Sequence, residues 1–217
     1  MYLFTVSLFR QEQSIQKPEV QDGVEPMRII TGSARGCRLK TPKGQNTRPT
    51  ADRVKESLFN ILGQKVIDRK VLDIFAGTGN LGLEALSRGA KSCVMVDRAT
   101  AAIIQDNVLL THMQDKAVVR GGDVFAELGR FSGGREAFDL IFCDPPYHIG
   151  LWEKALLTID RSAGIMAHNG ILVVEHGADE NEFPELESLV QVMNRCYGHT
   201  TQLSFYQWRK YVEEVEA

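Results

Sequence analysis

The sequence predicts a doubly wound α/β fold: a mostly parallel sheet with an antiparallel C-terminal hairpin, preceded by a small basic β-hairpin and helix. Three observations carry that expectation. From Val71 onward, short continuous apolar runs such as VLDIF, LIFC and ILVV alternate with helical patterns, as expected of strands covered on both faces. One of those runs leads straight into a glycine turn and a helix, VLDIFAGTGNLGLEALSRG. Near the C-terminus, SLVQVMNRCY and TQLSFYQWR flank Tyr197-Gly198-His199-Thr200, the pattern of two antiparallel strands and their turn.

Each element follows in order. Residues 1–26 lack sustained periodicity and carry Pro18, Gly23 and Pro26, which reads as a disordered leader. Its apolar start, MYLFTVSLFR, has neither a basic n-region nor a small-residue cleavage site, so a signal peptide is not expected. Organised sequence begins at Met27. Ile29-Ile30-Thr31, the turn Gly32 to Gly36 and the run Cys37 to Lys40 predict a basic hairpin. Pro42 to Pro49 reads as loop. Thr50 is placed to cap a helix on which Val54, Leu58, Ile61 and Leu62 recur at helical spacing up to Gly63. Strands are expected at 70–75, 92–97, 117–120, 139–143 and 170–175. Helices are expected near 80–88, 99–111 and 150–162, with a weaker one near 180–188. The domain reading is a leader at 1–26, a basic appendage at 27–63 and a Rossmann-like catalytic domain at 64–217.

Composition narrows the function classes. The 217 residues have a formal net charge of −3, which hides a basic block. Residues 28–70 hold eleven Lys/Arg against Asp52, Glu56 and Asp68, a net of +8. A basic block on an acidic body addresses a polyanion, although a solvated charged face has the same composition. Cys37, Cys93, Cys143 and Cys196 form no CxxC pair, which excludes a zinc ribbon or redox pair and reads as reduced thiols. The five histidines have no metal-ligand spacing, so no metal is expected. No apolar run approaches the roughly 20 residues of a membrane span. A soluble, cytoplasmic protein is expected.

The glycine turn Gly77-Thr78-Gly79 lets a ligand approach the backbone at a strand end. The spacing Gly77-x-Gly79-x-x-Gly82 fits nicotinamide and adenosyl ligands alike. Twenty residues after Gly77, the strand CVMV ends in Asp97, where a carboxylate can accept both ribose hydroxyls of an adenosine. Gly122-Asp123-Val124 offers a second polar group, with an ordinary loop acid as the alternative. The discriminating motif is Asp144-Pro145-Pro146-Tyr147, directly after LIFC. Two prolines contribute no backbone donor, so Asp144 and the Pro145 carbonyl present only acceptors. Such a pair suits an exocyclic NH2, and Tyr147 supplies a flat face for an extruded base. A nicotinamide enzyme has no use for this loop. Glu175 ends the fifth strand near the expected cleft without an assigned role, and Cys143 reads as a buried thiol.

Together these residues resemble the class I S-adenosylmethionine-dependent methyltransferases that modify nucleobase amines. RIITGSARGCRL, RPTADRVKESLFNIL, VLDIFAGTGNLGLEALSRGA and DPPY narrow the resemblance to the RsmD family, over about Arg28 to Arg209. That resemblance implies methylation of guanine N2 in 16S rRNA at position 966, with S-adenosylmethionine as cofactor. The partner it implies is 16S rRNA, with free rRNA and the assembling small ribosomal subunit both open; a monomer without membrane contact is expected. It assigns the cofactor to Asp73, Phe75, Ala76, Gly77, Thr78, Gly79, Asp97, Arg98, Asp123 and Val124. It assigns catalysis to Asp144, Pro145, Pro146 and Tyr147. The basic segment adds Arg28, Arg35, Arg38, Lys40, Arg48 and Arg53 as candidate RNA contacts. An adenine-N6 or protein amide methylase, and a non-catalytic RNA-binding module of the same fold, are the alternatives.

Overall fold

Alternation of apolar residues along each central strand builds two cores, one on each face of a single sheet. In the computed structural model, residues 27–42, 49–134, 137–162 and 164–216 are described. The expected leader, Lys43 and Arg48 lie outside them. The order is α1 (Pro49–Leu62), a 3-10 turn (Gly63–Val66), β1 (Lys70–Ile74), α2 (Asn80–Ser87), β2 (Ser92–Val96), α3 (Ala101–Leu110) and β3 (Ala117–Arg120). It continues with α4 (Val124–Phe131), β4 (Phe138–Cys143), α5 (Leu151–Asp160), β5 (Met166–Gly177), β6 (Leu189–Tyr197), β7 (Thr201–Trp208) and α6 (Arg209–Glu216).

The seven strands run in the order β3-β2-β1-β4-β5-β7-β6. Pairs from β3 to β5 are parallel, and β7 is antiparallel to both β5 and β6. Strand order reverses between β1 and β4, which opens a crevice beyond their carboxyl ends. Val71, Leu140, Phe142 and Val173 bury one face against Val54, Leu58, Leu83 and Ile104 of α1, α2 and α3. Leu72, Ile141, Cys143 and Val174 bury the other against Val124, Trp152 and Leu156 of α4 and α5.

The N-terminal segment is part of the first core, since Ile29 and Leu39 are buried there with Phe59 and Leu62 of α1. The expected hairpin is reduced to one antiparallel bridge, Arg28 with Arg38, flanked by Ile29 N to Cys37 O (3.0 Å) and Leu39 N to Met27 O (2.8 Å). Its backbone is spent on α2 instead of on a second strand. The amides of Ile30 and Thr31 donate to Glu84 (2.7 and 3.0 Å), and Ser33 N donates to Ser87 O (2.9 Å). Gly32 makes this approach possible: its φ is +90°, and an added Cβ would stand 1.8 Å from Ser87 O.

Several boundaries differ from expectation. α1 opens on Pro49, whose missing N–H is harmless in a first turn, so Thr50 lies within the helix. β1 ends at Ile74 because Phe75 turns to a φ of +60°. No helix forms near 180–188. Pro184 interrupts that stretch, and its end is a bend at Glu187 and Ser188 held by Asp160, which accepts from the amides of Glu187, Ser188 and Leu189. α4 and α6 were not expected from the sequence. Cys93 and Cys143 are buried, Cys37 is half-buried and Cys196 is exposed.

Candidate active site

Register builds the site. Ile74 pairs with Val96 on one side and Cys143 on the other, and Cys143 pairs with Val174. The next residue on each strand, Phe75, Asp97, Asp144 and Glu175, therefore stands at one height. Alternation places Asp73, Asp97, Asp144 and Glu175 on the sheet face that α1 to α3 cover. They open onto a cavity of about 630 Å³, within the range of small-ligand pockets. Its wall includes Asp73, Phe75, Ala76, Gly77, Thr78, Asp97, Arg98, Asp123, Val124 and the loop Asp144 to Tyr147. Met27, Lys55, Asn80, Leu81, Ala99, Thr100, Leu151 and Glu175 complete it.

The first half of the site is the loop after β1. Phe75 is a bulky residue at positive φ, a strained conformation that the surrounding bonds must hold. Ala76 N donates to Val96 O (3.0 Å), Gly79 N donates to Ala76 O (2.7 Å), and Gly77 N donates to Asp97 Oδ2 (3.0 Å). Gly77 has a φ of +58°, and a Cβ there would meet no atom nearer than Phe75 O at 4.0 Å, so the cavity reaches its backbone. Gly79 serves packing: it caps α2, and a Cβ would press on Met95, Ile104 and Leu83 at 3.0 to 3.3 Å. Asp73 is buried and accepts from Gly82 N (2.8 Å). Burial, with a smaller push from Asp97 and against the Gly82 bond, raises its pKa to about 7.

Asp97 has structural duties as well as a place on the wall. Its Oδ1 accepts from the amides of Ala99 (2.8 Å) and Thr100 (2.9 Å), and its Oδ2 takes Gly77. Asp123 is the N-cap of α4, accepting from Ala126 N at 3.0 Å. Both retain lone pairs toward the cavity. Arg98 is exposed at the rim.

The second half is the loop after β4. No hydrogen bond holds the Asp144 carboxylate among the described residues. Burial, then the charges of Glu175 and Asp73, push its pKa well above the carboxylate range. Tyr147 donates its hydroxyl to Glu175 Oε1 (2.7 Å), and burial raises the pKa of Glu175 as well. Behind Tyr147, His148 takes a φ of +62°. Glu180 fastens that turn by accepting from His148 N (3.0 Å), Trp152 Nε1 (3.1 Å) and Gly177 N (2.7 Å).

Lys55 joins the basic segment to the cavity. It is buried, and its Nζ donates to Arg28 O and Asn80 Oδ1, both at 2.6 Å. Glu84 and Asp52 lie 3.6 and 3.9 Å away. Desolvation nevertheless lowers its pKa. The sequence marked Lys55 only as one charge among eleven, and Glu180 not at all. The signal for Lys55 was its place beside Val54 and Leu58 on the apolar stripe. Arg28, Arg35, Arg38, Lys40 and Arg53 are all exposed outside the cavity. Lys40 pairs with Asp106 at 2.8 Å, and Arg28 with Asp52 at 3.6 Å.

Comparison with known proteins places this geometry among relatives. The family model described as conserved hypothetical protein 95 matches residues 27–207. A Bacillus subtilis protein, YlbH, is 40% identical over 177 residues, spanning 80% of this chain and 95% of its own. The Escherichia coli K12 protein named ribosomal RNA small subunit methyltransferase D is 34% identical, over 78% of this chain and 83% of its own. The solved structure of the Escherichia coli protein yhhF is similar with a TM-score of 0.71 and 32% identity, over 83% of this chain and 97% of that one.

Proposed function

This chain belongs to the RsmD family, and on that premise we propose that it transfers a methyl group from S-adenosylmethionine to the exocyclic N2 of a guanine in small-subunit rRNA, position 966 of 16S rRNA by the family resemblance. The observation that carries the reading is the acceptor-only loop Asp144-Pro145-Pro146-Tyr147 sharing one cavity with the glycine turn. The residues present fit the cofactor. Gly77 leaves its backbone open to the cavity, and Asn80 and Leu81 bring the N-terminus of α2 to the wall, where a carboxylate is favoured. Asp97 and Asp123 have acceptor capacity left for hydroxyl and amine groups. Asp73, Phe75, Ala76, Thr78, Arg98 and Val124 frame the remainder, while Gly79 shapes the turn from behind.

When bound, S-adenosylmethionine supplies a methyl carbon activated by its sulfonium, so that transfer to an amine releases a neutral thioether and one proton. The protein's part is position and desolvation. Asp144 and the Pro145 carbonyl accept the two N2 hydrogens, which draws the amine lone pair out of the ring and aims it. Tyr147, fixed through its hydroxyl, offers the base a flat face. The released proton passes to Asp144, whose burial beside two other carboxylates makes it basic enough to take it. Arg28 adjoins Met27 of the cavity wall, so a phosphate contact there would bring RNA to the cavity mouth.

The test is mass mapping of small-subunit rRNA from a strain lacking the gene, with and without the wild-type protein. Loss of one N2-methylguanosine, restored by wild type and not by Asp144→Ala, is the expected result. An rRNA unchanged by the deletion rejects the reading.

A further inference from the structure

We propose that Glu175 is the residue that selects guanine at the base site, by accepting the N1–H of the guanine ring while Asp144 holds the neighbouring N2 amine. The inference rests on the guanine-N2 reading above and deepens it. Asp144 and Glu175 each follow a paired position, Cys143 with Val174, on strands that run side by side about 4.8 Å apart. Both line the same cavity on the same face. Two acceptors so placed match two donors side by side on one base edge.

Glu175 has the capacity for this role. Its Oε1 is taken by the Tyr147 hydroxyl at 2.7 Å, and its Oε2 makes no hydrogen bond among the described residues. The Tyr147 bond fixes the plane of the carboxylate and ties it to the aromatic face on which the base would stack. Around it, Met27, Pro145, Pro146 and Leu151 contribute no side-chain donor. The Tyr147 hydroxyl is directed to Glu175, and the Lys55 ammonium to Arg28 O and Asn80. Guanine presents N–H donors at both N1 and N2, whereas adenine presents a lone pair at N1 beside its N6 amine. A base read by its Watson–Crick edge here meets acceptors at both positions. Adenine would face lone pair against lone pair at N1. The carboxylate therefore favours the two-donor edge, which separates guanine-N2 from adenine-N6 chemistry on an otherwise shared loop.

The experiment compares two bases with the same amine and opposite N1 character. Small-subunit rRNA carrying guanosine or 2-aminopurine ribonucleoside at the target position, made by splint ligation and reconstituted with small-subunit proteins, is methylated by wild type and by Glu175→Gln. Glutamine keeps an oxygen for Tyr147 and turns an amide donor toward N1. Wild type should prefer guanosine by about 100-fold or more in kcat/KM, as sites built around a buried hydrogen bond do. Glu175→Gln should lose roughly 10- to 150-fold on guanosine and bring the preference below about 10-fold. Wild type accepting both bases equally, or a preference unchanged in a Glu175→Gln protein that binds cofactor normally, overturns the proposal. If Glu175→Gln does not bind cofactor, Glu175→Ala, which removes the acceptor and adds no donor, is held to the same criterion. Failure of wild type on the guanosine RNA instead removes the guanine-N2 reading itself, and this inference with it.

Discussion

Asp144 sits in an environment that penalises its charge, with burial and two other carboxylates acting in the same direction and no donor among the described residues to offset them. On the proposed mechanism the target amine supplies the partner this carboxylate lacks. Asp144→Ala should therefore abolish methyl transfer, below about 1% of wild type, while S-adenosylmethionine affinity stays within a few fold. Asp144→Asn keeps one acceptor and should retain measurable turnover. A tritiated-methyl assay with parallel calorimetry checks both. Asp97 stands in contrast, because three backbone amides already depend on it. Asp97→Ala removes the proposed cofactor contact and the anchor of Gly77 together. It should weaken cofactor binding by roughly 30- to 150-fold, the worth of about 2–3 kcal/mol of charged hydrogen bonds, and also lower the melting temperature of the cofactor-free protein. Unchanged affinity by calorimetry would move the ribose contact to another residue.

The N-terminal segment is stitched to α2 by backbone and side-chain bonds at Glu84 and Ser87, and Gly32 is where the two chains come closest. Gly32→Ala combines an unfavourable φ with a Cβ inside the Ser87 carbonyl. A cost of about 1–3 kcal/mol should appear in urea unfolding, with cofactor affinity preserved. Reversing charge at Arg35 and Arg38 acts on the same element from its solvent side. RNA affinity should fall, and the log–log salt slope should shrink by about 1.4 to 1.8 if both contact phosphates, with cofactor binding untouched. A wild-type slope in filter binding would remove this element from RNA recognition. Strands β1, β2, β3 and β4 were legible because each is a continuous apolar run between turn residues, and so were the glycine turn and the DPPY loop at their ends. α4 was missed because Asp123 was read for what it could bind, while its position ahead of Val124, Leu128 and Phe131 marked a helix cap. The region 180–188 misled through its polar, acidic composition, although Pro184 argued against a helix. Lys55 and Glu180 act across the chain, and no local pattern announces a contact between residues so distant in sequence.

The whole molecule keeps three acids, Asp73, Asp144 and Glu175, from ionising at their usual pH. A group whose folded pKa is raised binds more protons in the native than in the unfolded state, so the stability it lends is lost as pH rises. For Asp73 the window runs from 3.8 to about 7, at up to about 1.4 kcal/mol per pH unit. The melting temperature of the cofactor-free protein should thus fall between pH 5 and pH 8, and Asp73→Asn should flatten that fall. On the proposed mechanism methyl transfer should move the other way, since only the ionised Asp144 can take up the proton that the methylated amine releases. Scanning calorimetry and initial rates across one buffer series test both trends, and parallel rather than opposed curves would contradict the assignment.

The level strand ends have a consequence for synthesis. β1 pairs with β2 soon after both leave the ribosome, but its other neighbour, β4, is encoded far downstream, and β5 later still. Parallel partners of that separation close slowly and late, and chains emerge N-terminal end first. A nascent chain therefore carries its glycine turn and the exposed arginines of its N-terminal segment well before Asp144 and Glu175 can stand beside them. The expected outcome is that ribosome-bound chains stalled before β5 retain RNA affinity and transfer no methyl groups, which arrested translation complexes can measure. An enzyme assembled in that order is born inert and becomes competent only on release.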